Sequence, residues 1–335
     1  MATIGGSTCA DRWLVTLPLF HANAQYYCFA PAIAVGASVA LTARFSASRW
    51  LMWARDLAAT HASLFAAPIR MILARTPADE APARLQHVWF AQSLAGSQHA
   101  EFAALVGCAP RQLYGMTETV AVATADLSEH PSAESIGDPT RIGRRTRIVD
   151  PDTNQDVPPG TPGMLLVGGT PGEDLFLEYL DDLQTTRRSF LEQDGETWLR
   201  TSDLVVKGPN GVLKFVGRVD DVIKVAGENV SLTELEAAIA RAPGVLEVAV
   251  LPEADPIRDT VPIAFVVARD PTAPPRVEDL AVWAADNLTP QSRPRSWSLV
   301  PELPRTSVGK IRRSALQMRE GGRQSAVPQS TPERS

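Results

Sequence analysis

His87-Val-Trp-Phe90 and, upstream of it, Ser63-Leu-Phe-Ala-Ala67 are short apolar runs, and residues 46–60 and 97–106 to either side have a helical texture. Apolar strands alternating with helices predict a parallel α/β sheet, because a parallel strand is covered on both faces and reads as an unbroken apolar run. Further toward the N-terminus, Asp11–Phe20 holds another such run, stopped by Pro18 and leading into a loop. Cys28–Leu41 is apolar but shorter than the roughly 18–20 residues of a membrane span, so it reads as a buried helix or a strand pair.

From about Ser135 the texture changes to short β runs at Arg147–Val149, Gly163–Val167, Leu204–Lys207 and Val212–Val216. Pro209-Asn-Gly211 separates the last two, and Asn-Gly tolerates the positive φ angles of a tight hairpin. After Gly217 the pattern changes again. Ser231-Leu-Thr-Glu234 is a capping box that starts a helix at Ser231, with Leu232, Leu235, Ile239 and Ala242 on one face and Pro243-Gly244 ending it. Strands are expected at Leu246–Leu251 and Pro262–Ala268, and a helix around Glu278–Leu288. The fold class is therefore α/β. A partial α/β portion of a large domain (1–134) and a small β-rich subdomain (135–216) precede a mobile α+β domain (217–319) and a disordered tail (320–335).

At 335 residues the chain is too long for one ordinary core. Its composition, 44% apolar and 21% charged with net charge −6, is that of a soluble globular protein and offers no basic surface for nucleic acid or an acidic membrane. No cationic segment leads into an apolar run at the N-terminus, so no signal peptide is expected. The three cysteines, Cys9, Cys28 and Cys108, lack metal-ligand spacing. They fit free thiols in a reducing compartment, and hence a cytoplasmic protein.

Four segments have residue types suited to chemistry. Tyr114-Gly-Met-Thr-Glu118 places a hydroxyl and a carboxylate together, a pair able to meet a phosphate and a hard cation. Trp198-Leu-Arg-Thr-Ser-Asp203 ends a strand on an aspartate, a common acceptor for two ribose hydroxyls. Gly217–Asn229 mixes charges with aliphatic residues. Pro304–Arg313 contains Ser307-Val-Gly-Lys310, where Gly309 allows close backbone approach and Lys310 supplies a point charge. Each also has a plain structural reading: a helix start capped by Thr117, a turn-capping Asp203, a solvated edge hairpin and a solvated basic loop.

In this order and spacing the four segments resemble the signature motifs of the AMP-forming adenylating superfamily, which includes acyl-CoA synthetases, peptide-synthetase adenylation domains and luciferases. Leu17-Pro-Leu-Phe-His21, Ser135-Ile-Gly137 and Leu175–Phe190 resemble intervening blocks, so the likeness spans residues 11–318. Phe20-His-Ala-Asn-Ala-Gln25 and Gly227-Glu-Asn-Val-Ser231 look most like carnitine- and crotonobetaine-CoA ligases. The resemblance implies ATP, Mg²⁺ and coenzyme A as cofactors, a carboxylic acid substrate, and CoA or a carrier-protein thiol as acceptor. It implies that Tyr114, Gly115 and Thr117 contact the nucleotide and that Glu118 holds the metal. Asp203 and Arg218 would bind ribose, and Lys310 would bridge carboxylate and phosphate oxygens. It further implies a hinge at Asp220, a pantetheine tunnel lined by Gly227, and an acyl pocket bordered by His21 and Met116, with Asn23 and Tyr27 nearby. His21 reads equally well as a core histidine.

The chain departs from the family pattern in several places. The Ser/Thr/Gly-rich phosphate loop ending in Pro-Lys-Gly, which family members carry upstream of the segment equivalent to Leu17–His21, is not found. Met164, Glu178 and Ser202 replace an expected Glu and two glycines. The expectations are a truncated ligase, a split enzyme completed by a second chain or by self-association, or a homologue that only binds an acyl-CoA, a nucleotide or a protein. On any of these the isolated chain is expected to show no ATP–pyrophosphate exchange.

Overall fold

The computed structural model describes residues 2–77, 79–305, 311–313 and 315–316, with Asp220 described by its main chain alone. The 320–335 tail and Lys310 lie outside the described residues. Contacts divide the chain into two compact units, Met1–Val219 and Asp220–Ser335.

In the first unit, strands β1 (Arg12–Val15), β2 (Ser38–Leu41), β3 (His61–Phe65), β4 (His87–Ala91), β5 (Arg111–Tyr114) and β6 (Thr124–Ala125) form a six-stranded sheet in the order β2-β1-β3-β4-β5-β6. The first five run parallel and β6 is antiparallel to β5. Successive strand residues point to opposite faces. Leu14, Ala62, Leu64, Val88 and Phe90 therefore pack together under helices α3 (Trp50–Asp56), α4 (Ala66–Leu73) and α5 (Gly96–Val106). On the other face Trp13, Val15, Trp89 and Leu113 pack against α1 (Ala22–Ala24), α2 (Ala30–Val35) and the π-helical stretch Gln25–Phe29 that joins them. Cys28–Leu41 thus runs through helix into the edge strand β2, with Ile33 and Leu41 exposed.

The same unit carries the β-rich part. Strands β7 (Thr146–Val149), β8 (Gly163–Gly168), β9 (Phe190–Gln193), β10 (Glu196–Lys207) and β11 (Leu213–Arg218) pair antiparallel in the order β11-β10-β8-β7, with β9 also on β10. Helix α6 (Leu183–Ser189) precedes β9, with Asp182 capping it by accepting the Thr185 N–H at 2.9 Å. The Asn210-Gly211 hairpin is present, with Gly211 at φ 82°.

The second unit holds β12 (Val222–Val225), β13 (Glu228–Ser231), β14 (Val245–Asp255), β15 (Asp259–Ala268) and β16 (Ser296–Leu299) in the order β13-β12-β15-β14, with β16 parallel to β15. Helix α7 (Leu232–Ile239) begins where the capping box places it: Ser231 Oγ accepts the Glu234 N–H at 3.2 Å. Leu232, Leu235, Ile239 and Ala242 are all buried against the sheet, together with Leu280 of α8 (Val277–Asn287). Among the described residues no helix is long and apolar enough to cross a membrane.

Candidate active site

Tyr114 closes β5, so the Tyr114–Glu118 segment leaves the carboxyl end of a parallel strand, where open α/β sheets place their ligands. Residues Thr117–Thr119 form a single 3₁₀ turn. Thr119 caps this turn, with its hydroxyl accepting the Met116 N–H at 3.1 Å. Thr117 stays exposed, and its hydroxyl makes no hydrogen bond among the described residues. Gly115 lies where any side chain would collide: a Cβ there would stand 2.5 Å from the Tyr27 hydroxyl and 3.0 Å from the Ala121 carbonyl oxygen.

Asp203 does not end its strand. β10 continues to Lys207, but its register against β8 slips between Arg200 and Leu204. Ser202, standing where glycine was expected, adopts φ 58° within this bulge. Thr201 fixes the distortion by donating to the Leu165 carbonyl at 2.8 Å and accepting the Asp203 N–H at 3.1 Å. Bulges redirect side chains. Here Asp203 Oδ2 accepts the Tyr114 hydroxyl at 2.5 Å, and Oδ1 accepts Arg218 Nη1 at 2.9 Å from the cross-strand position on β11. Burial, followed by the Asp203 charge, pushes the Tyr114 hydroxyl well above its ordinary value and keeps it a donor. Three of the residues named from sequence thus form one bonded cluster.

Glu118 is half-buried, and its Oε1 accepts the Tyr179 hydroxyl at 2.7 Å. Its main-chain carbonyl accepts the Phe176 N–H at 2.8 Å. Arg144 holds the next residue: Nη2 donates to the Thr119 carbonyl at 2.6 Å and to the Asp174 carbonyl at 2.9 Å. Glu118 Oε2 accepts no hydrogen bond among the described residues. No cluster of three or more His, Cys, Asp or Glu able to hold a metal occurs among them. That donor set fits Mg²⁺, which takes one or two protein carboxylates and completes its shell with waters and substrate phosphates.

Tyr179 and Arg144 were missed in the sequence. Both are far from the turn along the chain, and neither stands in a pattern that points to Glu118. Of the remaining named residues, His21 packs beside Phe20 and Phe65, with ring centroids at 4.6 and 6.0 Å. Met116 is partly buried and packs against the core cluster of the β-rich sheet that holds Ile136 and Leu165. Gly227 sits in the two-residue turn between β12 and β13 at φ 88°, beside Ala226 at φ 49°, with open space around it. Asp220 lies in the 3₁₀ turn Val219–Asp221, where the two units divide. Flanking residues 306–310, Arg305 pairs with Glu247 at 2.6 Å and Arg313 with Glu236 at 2.8 Å.

A parallel sheet with an Asp–Arg pair and a half-buried carboxylate at its carboxyl edge suits a polyhydroxylated, anionic ligand such as a nucleotide. The chain belongs to the AMP-binding enzyme family: that family's model matches residues 2–180, and the AMP-binding enzyme C-terminal domain matches 234–310. It is 32% identical over 309 residues to the crotonobetaine/carnitine–CoA ligase of Proteus mirabilis, covering 92% of this chain and 58% of that protein. It is also 32% identical to the sulfoacetate–CoA ligase of Cupriavidus necator, covering 92% and 59%. The fold matches the O-succinylbenzoate coenzyme A synthetase of Bacillus subtilis, solved in complex with ATP and magnesium ion, at a TM-score of 0.78 and 26% identity. That match covers 94% of this chain and 64% of the other. The chain therefore spans somewhat more than half the length of these relatives.

Proposed function

We propose that the chain serves AMP-forming activation of a carboxylic acid and transfer of the acyl group to coenzyme A. The acid's carboxylate oxygen attacks the α-phosphorus of ATP, pyrophosphate leaves, and the CoA sulfur then displaces AMP from the acyl-adenylate. The observation that carries this reading is the Tyr114–Asp203–Arg218 cluster beside Glu118. Asp203 has acceptor capacity for ribose hydroxyls while Tyr114 and Arg218 hold it in place. The exposed Thr117 hydroxyl is available to a phosphate oxygen. A bound Mg²⁺ would neutralise phosphate charge, held by Glu118. His21 and Met116 border the acid, Lys310 bridges the acid and the α-phosphate, Asp220 is the pivot, and Gly227 lies on the path of the CoA thiol. The names of the two sequence relatives support an acid–thiol ligase. The free thiols of Cys9, Cys28 and Cys108 suit a cytoplasmic protein.

The test is acid-dependent AMP and acyl-CoA formation, with a panel including carnitine, crotonobetaine, sulfoacetate and benzoate. The chain is assayed alone and with the phosphate-loop portion of a relative supplied as a second polypeptide. Product in one of the two arrangements is expected, and none in either rejects the reading. In the productive arrangement Lys310→Ala should slow adenylate formation by about 100-fold or more, while conversion of supplied acyl-adenylate changes far less.

A further inference from the structure

The Glu118 turn is short, exposed on one side, and carries its carboxylate on a side chain of three rotatable bonds. Something must restrain it if it is to hold a cation in one place. We propose that Tyr179 is the positioning residue: its hydroxyl fixes one oxygen of Glu118 and leaves the other for a divalent cation. This inference rests on the proposed function.

Two observations carry it. First, Tyr179 is itself immobilised. Its N–H donates to Thr186 Oγ1 at 2.9 Å and its carbonyl accepts the Asp182 N–H at 3.2 Å, tying it to the start of α6. Its ring packs on Phe176 at 4.7 Å between centroids, and Phe176 stacks on Phe190 at 5.1 Å. Second, the same segment grips the turn's main chain through Phe176 and through Arg144, whose Nη1 also pairs with Asp174 Oδ2 at 3.0 Å. Residues 174–179 therefore hold the turn at backbone and side chain together. Partners of this kind, one bond removed from a metal, typically change its affinity by about 10–100-fold when removed.

The test uses the full chain, its Tyr179→Phe and Glu118→Gln variants, and the double variant. Tyr179→Phe keeps the ring and its stacking. ATP binding is followed by calorimetry at set Mg²⁺ and in chelator, and Mn²⁺ binding without nucleotide by water-proton relaxation. Tyr179→Phe should raise the half-saturating Mg²⁺ and the Mn²⁺ dissociation constant by about tenfold. ATP binding in chelator should be unchanged. In the Glu118→Gln background the same change should have no further effect, because the two residues act as one unit. Unaltered metal dependence in Tyr179→Phe, or an equal loss in both backgrounds, overturns the proposal. A chain that binds Mn²⁺ but not ATP, both alone and with the phosphate-loop portion of a relative supplied, counts against the proposed function, and the positioning role is then decided on Mn²⁺ alone. Binding of neither in either arrangement overturns both.

Discussion

Leu14, Ala62, Leu64, Val88 and Phe90 line one face of the six-stranded sheet, and Trp13, His61, Ser63, His87 and Trp89 line the other. These are alternate residues of the same strands, yet they are held by different forces. The first face is apolar and closed by three helices, and only Trp50 among the buried residues of that cluster has a buried ring N–H without a partner. The second face is built from aromatic and polar groups. His61 Nδ1 lies 2.8 Å from Thr60 Oγ1 and 3.7 Å from Asp11 Oδ1, and its ring sits 4.7 Å from Trp13 and 5.1 Å from His87. Asn23 donates to Ser63 Oγ at 2.9 Å, but its Oδ1 and the indole N–H groups of Trp13 and Trp89 are buried without partners. One face is stabilised by close packing, which ignores pH. The other depends on protonation and leaves polar groups unsatisfied.

Phe90→Ala should break the contrast most severely. Its ring is fully buried among Leu64, Val88 and Phe102. Removing such a ring costs about 3–5 kcal/mol through lost transfer energy and the cavity left behind, read as a lowered urea midpoint. A loss below about 2 kcal/mol would mean that this face collapses readily and is not the rigid half.

The second prediction concerns pH. Burial lowers His61 below its ordinary 6.5, against the opposing pull of Asp11 and the Gly5 carbonyl. Burial lowers His87 as well, aided by the nearby His61 and Arg111 and opposed by Asp11. A histidine whose folded value is depressed is protonated first in the unfolded chain. Stability is then complete above about pH 6.5 and falls as pH drops below it, by up to about 1.4 kcal/mol per pH unit for each proton. Asp11 acts lower on the scale: burial opposes its ionisation, but hydrogen bonds from Thr8 outweigh this and hold it below 3.8. Urea midpoints measured from about pH 5 to pH 8 should therefore slope. His61→Gln should reduce the slope to the share of His87, and Phe90→Ala should keep the slope while lowering the whole curve. A flat wild-type profile would show that the histidine face is electrostatically silent.

The smallest effect is expected at Trp89→Phe. Losing part of the indole leaves a small cavity, but it also removes a buried N–H that has no partner. The two should offset to within about 1 kcal/mol, measured in the same titration. A change comparable to that of Phe90→Ala would put tight packing on both faces.

Much of this architecture was legible from local rules. His87–Phe90, Asn210-Gly211 and Ser231–Glu234 each state their structure through side-chain period, turn torsion or cap. Ser63–Ala67 was read as one strand, whereas the chain turns from strand to helix at Ala66. Both halves of that run are buried, so hydrophobicity does not mark the change. At the site, the Tyr114–Glu118 turn stands out because its functional groups are adjacent. The bulge before Asp203 was not legible, because it follows from a two-residue slip of β10 against β8. Neither was the Tyr179–Glu118 bond, because a contact across 61 residues leaves no local spacing to detect.

Gly115 and Gly227 look alike in sequence but define opposite rules for what variation each position accepts. At Gly115 the obstacle is volume, since the Tyr27 hydroxyl already occupies the place of a β-carbon. Selection at this codon should return glycine alone, and alanine should become acceptable only alongside a smaller residue at 27. At Gly227 a β-carbon would meet open space, and the obstacle to folding is the torsion angle. Asparagine and aspartate, which tolerate positive φ, should fold there while β-branched residues are lost, and only transfer to CoA, whose thiol passes this glycine in the proposed function, should select against them. One position is thus coupled to a second site in the sequence, and the other to the ligand.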